Sequence, residues 1–444
     1  MKSREVLKIG LLSRKVAWEV LQAVGAGAYS DAALDRAIKR NFLKGTDKAL
    51  ATELSYGAIR QRYFLDCWLD RFGKVPAVNQ PPPLRWLLHL GLYQILKMDR
   101  IPDSAAIDTT VELAKNGNLV KLAPVVNGLL RSALRAHESG KIFSISSIPS
   151  HKLAQEESLP IWIAEELIKW KGERKAREIA HTFNRSPVID LRVNSLVSNP
   201  MKLQKKFEDF GIKSYLIDDC PNGLQIDMGH GDIKKWPGYL EGEWSVQDRS
   251  SQMVAPLLEA KTGERILDAC AAPGGKVTHI AELTNNQVDI WAVDRSEKRL
   301  QKLVDNAKRL GLSKSIKTLS KDASYLSESR SDWRGFFNKI LIDAPCSGLG
   351  TLSRHPDARW RITNNHVKEL VILQSKLLTR LVPLLSKGGR IVYSTCTIHP
   401  EENHFQIEKF LSKFSSFSLV SENQIWPSID NYGDGFYTAV VEQS

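Results

Sequence analysis

ERILDACAAPGGKVTHIAEL, residues 264–283, reads as a strand, a sharp turn and a helix in direct succession. DIWAVD (289–294) is the next strand and SEKRLQKLVDNAKRLG (296–311) its following helix. IKTLSKD (316–322), NKILIDA (338–344) and GRIVYSTC (389–396) read as further strands, with VKELVILQSKLLTRLVPLLS (367–386) as a long helix before the last. Strands alternating with helices predict a doubly wound, mostly parallel α/β sheet of the Rossmann-like kind. Such sheets bind ligands beyond the carboxyl ends of their strands. Cys270, Asp294, Asp322, Asp343 and Cys396 all fall at predicted strand ends, so one rim should collect the unusual side chains.

The turn after the first of these strands carries one half of the expected site. Pro273, Gly274 and Gly275 let backbone pass close to a ligand, and the helix start offers free N–H donors. Asp294 ends the next strand at the distance where an acid accepts hydrogen bonds from ribose hydroxyls. Asp322 is placed to receive the exocyclic amine of an adenine. A phosphate-cradling G-x-x-x-x-G-K-[ST] loop is excluded, because Cys270 stands at the first glycine position and Val277 follows Lys276. The dinucleotide G-x-G-x-x-G pattern is missing too. A nucleoside ligand without a long phosphate tail fits better, which points to S-adenosylmethionine. Its expected contacts are Cys270, Ala271, Ala272, Pro273, Gly274, Gly275 and Lys276, then Asp294, Arg299, Asp322 and Asp343.

NKILIDAPCSGLGTLSRHPDARW (338–360) carries the other half. Asp343 ends a strand, Pro345 stiffens the turn, and Cys346 is offered to the same rim as Cys396. Cysteines at 67, 220, 270, 346 and 396 are odd in number and lack C-x-x-C spacing, which argues against a disulfide framework or a metal knuckle. A redox pair of Cys346 and Cys396 lacks the compact spacing of dithiol motifs. A thiol beside a methyl donor suits cytosine chemistry. Addition of a thiolate at C6 turns C5 into an enamine carbon able to accept a methyl group, after which the thiol is eliminated. Asp343 is the candidate for the contact at N3, and Lys276 could orient it. The target base must be single-stranded or flipped. His355, beside the Cys346 loop, is a weaker candidate base. His399 and His404 near Cys396 allow a Cys/His hydrolase alternative, which the methyl-donor motif disfavours. Arg354, Arg359, Arg361 and Trp360 interleave cations with an aromatic ring, as phosphate contact and base stacking require. Cys67 and Cys220 are expected as buried fillers.

Outward from this core, the 444 residues suggest about three domains. Hydrophobic content of 42% and charged content of 25% are those of an ordinary globular chain. Residues 1–140 read as an all-helical bundle. Ser30, Thr46 and Asp103 or Ser104 are candidate caps. Residues 141–154 read as a linker, 155–244 as a small α+β domain with a helix ending on Gly172, and 245–444 as the catalytic domain. Residues 1–150 hold 22 Lys/Arg against 13 Asp/Glu, so a polyanionic partner is expected there. Arg14, Lys15 and Glu19 break any secretory h-region, and no uncharged run reaches the ~18 residues of a membrane span. A cytoplasmic monomer without metal is the expectation.

The motifs also carry a resemblance. DACAAPGGK (268–276), VD (293–294), KD (321–322), DAPCSG (343–348) and YSTCT (393–397) resemble the ordered motifs of RNA 5-methylcytosine methyltransferases. ELSYGAIRQRYFLD (53–66) and VVNGLLRSALR (125–135) are similar to the NusB-like helical domain of the bacterial ribosomal RNA subgroup, the RsmB/Sun type. LRVNSL (191–196), VQDRSSQ (246–252) and RHPD (354–357) are similar to that subgroup as well. The resemblance implies that Cys396 attacks C6, that Cys346 assists product release, and that the substrate is a cytosine of small-subunit ribosomal RNA. Val277 in place of a common Thr, and SGLG in place of a more usual S-A-T-G, depart from the pattern at no proposed reactive atom.

Overall fold

Proline at two successive positions opens the central helix of the N-terminal region. The computed structural model describes residues 10–227, 231–430 and 432–444. They fall into two compact units, Met1–Arg185 with Leu352–Arg361, and Ser186–Thr351 with Ile362–Ser444.

The first unit is helical: α1 (Leu11–Gly25), α2 (Ser30–Arg40), α3 (Gly45–Arg60), α4 (Arg62–Phe72), α5 (Pro82–Lys97), α6 (Asp103–Lys115), α7 (Ala123–Glu138), α8 (Pro149–Glu157) and α9 (Ile161–Thr182). The fixed φ of Pro82 and Pro83 suits the first turn of α5, where their missing N–H groups cost nothing. Beyond them Leu84, Leu87, Leu88, Leu90, Leu92 and Ile95 are buried around the whole circumference. A helix apolar all round must sit inside its bundle, and α5 does. Gly57 admits it: a Cβ there would lie 2.0 Å from the Tyr93 ring.

Three expectations need correction here. Ser30, Thr46, Asp103 and Ser104 cap no helix through their side chains. The Ser30 hydroxyl instead donates to Asp357 Oδ1 at 2.6 Å. The 141–154 stretch is not all linker, since α8 begins at Pro149, and the division between units falls after Arg185. Gly172 marks a break inside α9 (φ 72°) rather than its end, and α9 belongs to the helical unit.

The second unit opens with a small antiparallel sheet of β1 (Ile189–Val193), β2 (Ser214–Leu216), β3 (Gly223–Ile226) and β4 (Trp244–Val246), ordered β2-β3-β1-β4. Helix α10 (Pro200–Asp209) contributes Leu203 and Phe207 to its core with Leu191, Val193, Leu224, Ile226 and Trp244. The main sheet comprises β5 (Arg265–Asp268), β6 (Asp289–Asp294), β7 (Ile316–Ser320), β8 (Phe337–Asp343), β9 (Leu385–Thr395), β10 (Phe417–Ile425) and β11 (Phe436–Gln443). Its order is β10-β11-β9-β8-β5-β6-β7. β5 to β9 pair in parallel, and β10 and β11 add an antiparallel edge that the strand reading did not include. The chain winds outward from β5 through β6 and β7, then returns to place β8 and β9 on the other side. The reversal lies between β5 and β8, where doubly wound sheets open a crevice. Helices α11 (Gly275–Leu283), α12 (Glu297–Arg309), α13 (Asn364–Leu381) and α14 (His404–Lys413) complete the unit. Among the described residues no helix is long and apolar enough to cross a membrane.

Candidate active site

β5 ends at Asp268, and the turn to α11 contains a cis Ala272–Pro273 peptide and Gly274 at φ 105°. Leu303 packs where a Gly274 Cβ would stand, 2.6 Å away, so this position requires glycine. Over the crevice lies a cavity of about 350 Å³. Cys270, Ala272, Lys276, Asp294, Arg299, Asp322, Asp343, Cys346 and Cys396 all line it. Ala271, Pro273, Gly274 and Gly275 do not; they shape the turn beneath. Asp248, Asp434 and Phe436 also line the cavity and were not anticipated. Asp434 sits in the loop before the unforeseen edge strand β11, and Phe436 begins it. VQDRSSQ contains Asp248 and was the available signal for it.

Carboxylates dominate the floor. Beneath it Asp268 is buried and does not line the cavity, and burial together with repulsion from Asp343 pushes its carboxyl up to about 7. One of its oxygens accepts from Cys270 N at 3.2 Å, and Oδ2 has no partner. Asp294 accepts from Ser296 N at 2.9 Å and pairs with Arg299 at 3.0 Å, and Arg299 also donates to Ala272 O. Lys276 Nζ lies 2.6 Å from Asp343 Oδ2, while Ser394 Oγ donates to Asp343 Oδ1 at 2.9 Å. Burial alone would lower the Lys276 ammonium; the Asp343 carboxylate overrides it and holds it above its ordinary range. A cleft lined by Asp248, Asp294, Asp322, Asp343 and Asp434 suits a ligand carrying positive charge and ribose hydroxyls. S-adenosylmethionine, a sulfonium nucleoside with an ammonium group, matches that donor set.

The two thiols meet above this floor. Cys346 Sγ and Cys396 Sγ are 3.4 Å apart, one from the loop after β8 and one from the end of β9. The hydrogen bond with Cys396, then burial, pushes the Cys346 thiol well above its ordinary range, so Cys346 is held protonated. Cys270 is also pushed up, by burial and by the surrounding aspartates, which makes it an inert lining thiol. Burial raises Cys67 to about 12 and Cys220 to about 11, as fillers should be.

Support for α11 comes from a residue whose role the sequence reading missed. Arg192 of β1 is 1% exposed and donates to Gly275 O at 2.6 Å, Thr278 Oγ1 at 3.0 Å, Gln247 Oε1 and Glu282 Oε2 at 3.1 Å. The small sheet thereby grips the first turn of the helix that carries Lys276. A buried arginine of this kind is invisible in one sequence, because nothing in LRVN distinguishes it from an exposed strand residue.

The RHPDARW motif behaves differently from its reading. Leu352–Arg361 belongs to the helical unit. Arg359 is fully buried and donates to the carbonyls of Arg60 (3.3 Å), Ser158 (3.2 Å), Phe183 (2.8 Å) and Leu352 (3.2 Å) and to Asn184 Oδ1 (3.1 Å). Trp360 Nε1 donates to Ile59 O at 2.7 Å, and Arg361 lies over the Tyr29 ring. Arg359 and Trp360 are thus structural rather than phosphate-binding and stacking groups. His355 pairs with Asp31 at 3.6 Å and lines no part of the thiol cavity. His404 bonds Glu422 at 2.9 Å, and neither it nor His399 lines the cavity, which leaves the hydrolase alternative without a base.

A parallel sheet that switches direction at β5, with a carboxylate-floored nucleoside cleft at that point, defines a Rossmann-like S-adenosylmethionine-dependent methyltransferase. The family description "16S rRNA methyltransferase RsmB/F" matches residues 255–442, and "NusB family" matches residues 12–135. The chain is 40% identical to "Probable ribosomal RNA small subunit methyltransferase B" of Synechocystis over 90% of its length and 89% of that protein. It is 34% identical to "Ribosomal RNA small subunit methyltransferase B" of Escherichia coli over 88% of its length and 90% of that protein. The crystal structure of PH0851 aligns over 98% of this chain and 99% of its own, with a TM-score of 0.83 at 25% identity. The chain belongs to the RsmB/F family of 16S rRNA methyltransferases, with a NusB-like helical domain.

Proposed function

We propose that this enzyme methylates C5 of a cytosine in small-subunit ribosomal RNA through a covalent adduct of Cys396 with C6 of the base. The observation that carries this reading is the pair of thiols at 3.4 Å on the rim of the cavity that holds Asp343 and Lys276. Bound in the cleft, S-adenosylmethionine supplies the electrophilic methyl group. Cys396, as thiolate, adds to C6 and moves electron density to C5, which makes that carbon the nucleophile. Asp343, oriented by Lys276 and Ser394, contacts the N3 side of the ring as charge develops there. Once C5 has taken the methyl group, a base removes the C5 proton, the C5–C6 double bond re-forms and the Cys396–C6 bond breaks to return the thiolate, with Cys346 assisting release. The thiol of Cys346, pushed up by Cys396 and by burial, would be the proton-handling member of the pair.

Cys270, Ala272, Lys276, Asp294, Arg299, Asp322 and Asp343 would hold the cofactor. The basic N-terminal region would dock the RNA by phosphate contacts, so its affinity should fall steeply with salt. The enzyme would act as a monomer in the cytoplasm, on a single-stranded or flipped cytosine. Cys396→Ala should abolish methyl transfer with S-adenosylmethionine affinity unchanged by calorimetry. Cys346→Ala should accumulate a protein–RNA species of slower migration on a denaturing gel. Wild-type methylation by Cys396→Ala would remove the mechanism. Bisulfite mapping of ribosomal RNA from cells lacking the protein identifies the cytosine.

A further inference from the structure

Cys346, in the loop after β8, and Cys396, just past β9, are held side by side by hydrogen bonds that run between their two segments. Glu402, in the loop between β9 and α14, is fully buried. Its Oε2 accepts from Ser347 N at 2.8 Å and from Gln374 Nε2 at 3.0 Å. Its Oε1 accepts from Ser347 Oγ at 2.5 Å, with Thr397 Oγ1 3.4 Å away. With the Ser347 proton committed to Glu402, Thr397 Oγ1 donates to Ser347 Oγ at 2.7 Å, so the two hydroxyls form a relay to the carboxylate. Ser347 directly follows Cys346, and Thr397 directly follows Cys396. Gln374 of α13 donates as well to Pro345 O at 2.9 Å, so the backbone is held on both sides of Cys346. The loop carrying Glu402 is itself fixed, because Tyr393 Oη donates to Glu402 O at 2.7 Å and Asn403 Nδ2 to Thr397 O at 3.0 Å.

We propose that Glu402 is the positioning residue of the reaction: it latches the Cys346 loop to the end of β9 and so sets the distance between the two thiols. The inference rests on the thiol mechanism proposed above. A buried carboxylate is costly unless its lone pairs are filled, and here they are filled by groups adjacent to both reactive residues. A staple serving stability alone would have no reason to choose those neighbours. Loss of alignment by about 1 Å costs roughly 10²-fold in rate.

The latch can be read without RNA or cofactor. Diamide, an azo oxidant, takes two electrons and two protons from a thiol pair and leaves a disulfide. Cys346 and Cys396 at 3.4 Å should form that bond quickly in the native enzyme, detected as a linked peptide by mass spectrometry. Glu402→Ala should slow it by about tenfold or more and lower kcat by roughly 10- to 100-fold, with KM for cofactor and RNA within about twofold. Thr397→Val should do the same to a smaller extent, and serves if Glu402→Ala does not fold. Glu402→Gln keeps an oxygen toward Ser347 N and Gln374 while its amide donates to the two hydroxyls, so it should restore both trapping and kcat. Native-rate disulfide formation in folded Glu402→Ala or Thr397→Val would overturn the proposal, as would a Glu402→Gln variant as impaired as the alanine. If Cys396→Ala still methylates RNA, the mechanism fails, and the latch is still judged by the trapping rate.

Discussion

Two stretches that follow β8 sit close together in the chain and differ in every physical respect. Residues 344–350 carry Cys346 to the rim of the cavity, where polar groups meet a ligand. Residues 352–361 bury Arg359 and anchor Trp360 within the helical unit. Both are rich in residue types associated with chemistry. What separates them is how their polar groups are satisfied. Around Cys346 the loop backbone is tied down by Glu402 and Gln374, which leaves the thiols of Cys346 and Cys396 on the cavity rim. Around Arg359 the hydrogen bonds end on carbonyls at the last turns of α3, α8 and α9, where helix dipoles favour a cation. The first pattern leaves valence for a ligand, and the second consumes it.

The sharpest way to break this contrast is to remove Arg359. Burial and the nearby Arg60 push its guanidinium down to about 9, so it remains charged at neutral pH. Arg359→Met keeps the volume and strands several buried carbonyl oxygens. The expected loss is about 3–5 kcal/mol of stability, measured by urea denaturation. A loss below about 1 kcal/mol would mean that the segment is not an anchor.

On the opposite side, Asp268, buried beneath the cleft, tests what an isolated carboxyl costs the fold there. Its folded carboxyl lies at about 7, against about 4 in an unfolded chain. The folded state therefore binds more protons between those values. Stability is greatest below pH 4 as far as this group is concerned, and is lost as pH rises through 7. Three units correspond to at most about 4 kcal/mol, and relaxation would reduce that to about 2–3 kcal/mol. Asp268→Asn should remove this slope between about pH 4 and 7 in the cofactor-free enzyme. An unchanged slope would show that the carboxyl is better solvated than its surroundings imply.

The contrast also explains what could be read from the chain. Strand ends are legible, because apolar runs such as NKILID and GRIVYST fix where a strand stops and hence which side chains reach the rim. Cys270, Asp294, Asp343, Cys346 and Cys396 were found that way. Arg192, Arg359 and Glu402 were not, since a buried charged residue looks the same in sequence as an exposed one until its partners are known. Asp434 and Phe436 depend on an antiparallel edge strand, and FYTAVVEQ lacks the helix before it that a parallel strand of this sheet would have.

His355 gives the smallest expected effect. It lies in the anchoring stretch, half exposed, and pairs at 3.6 Å with Asp31, itself well exposed. Surface pairs of this geometry contribute about 0–1 kcal/mol. His355→Ala should change stability by less than about 0.5 kcal/mol and leave kcat and its pH profile as they are, in a methyl-transfer assay across pH 6–9. A general base would behave otherwise, since its removal typically costs 10²- to 10⁴-fold in rate and deletes the corresponding limb of the profile. A large fall in kcat for His355→Ala would place the anchoring stretch among the reacting groups and erase the distinction between the two sides of β8.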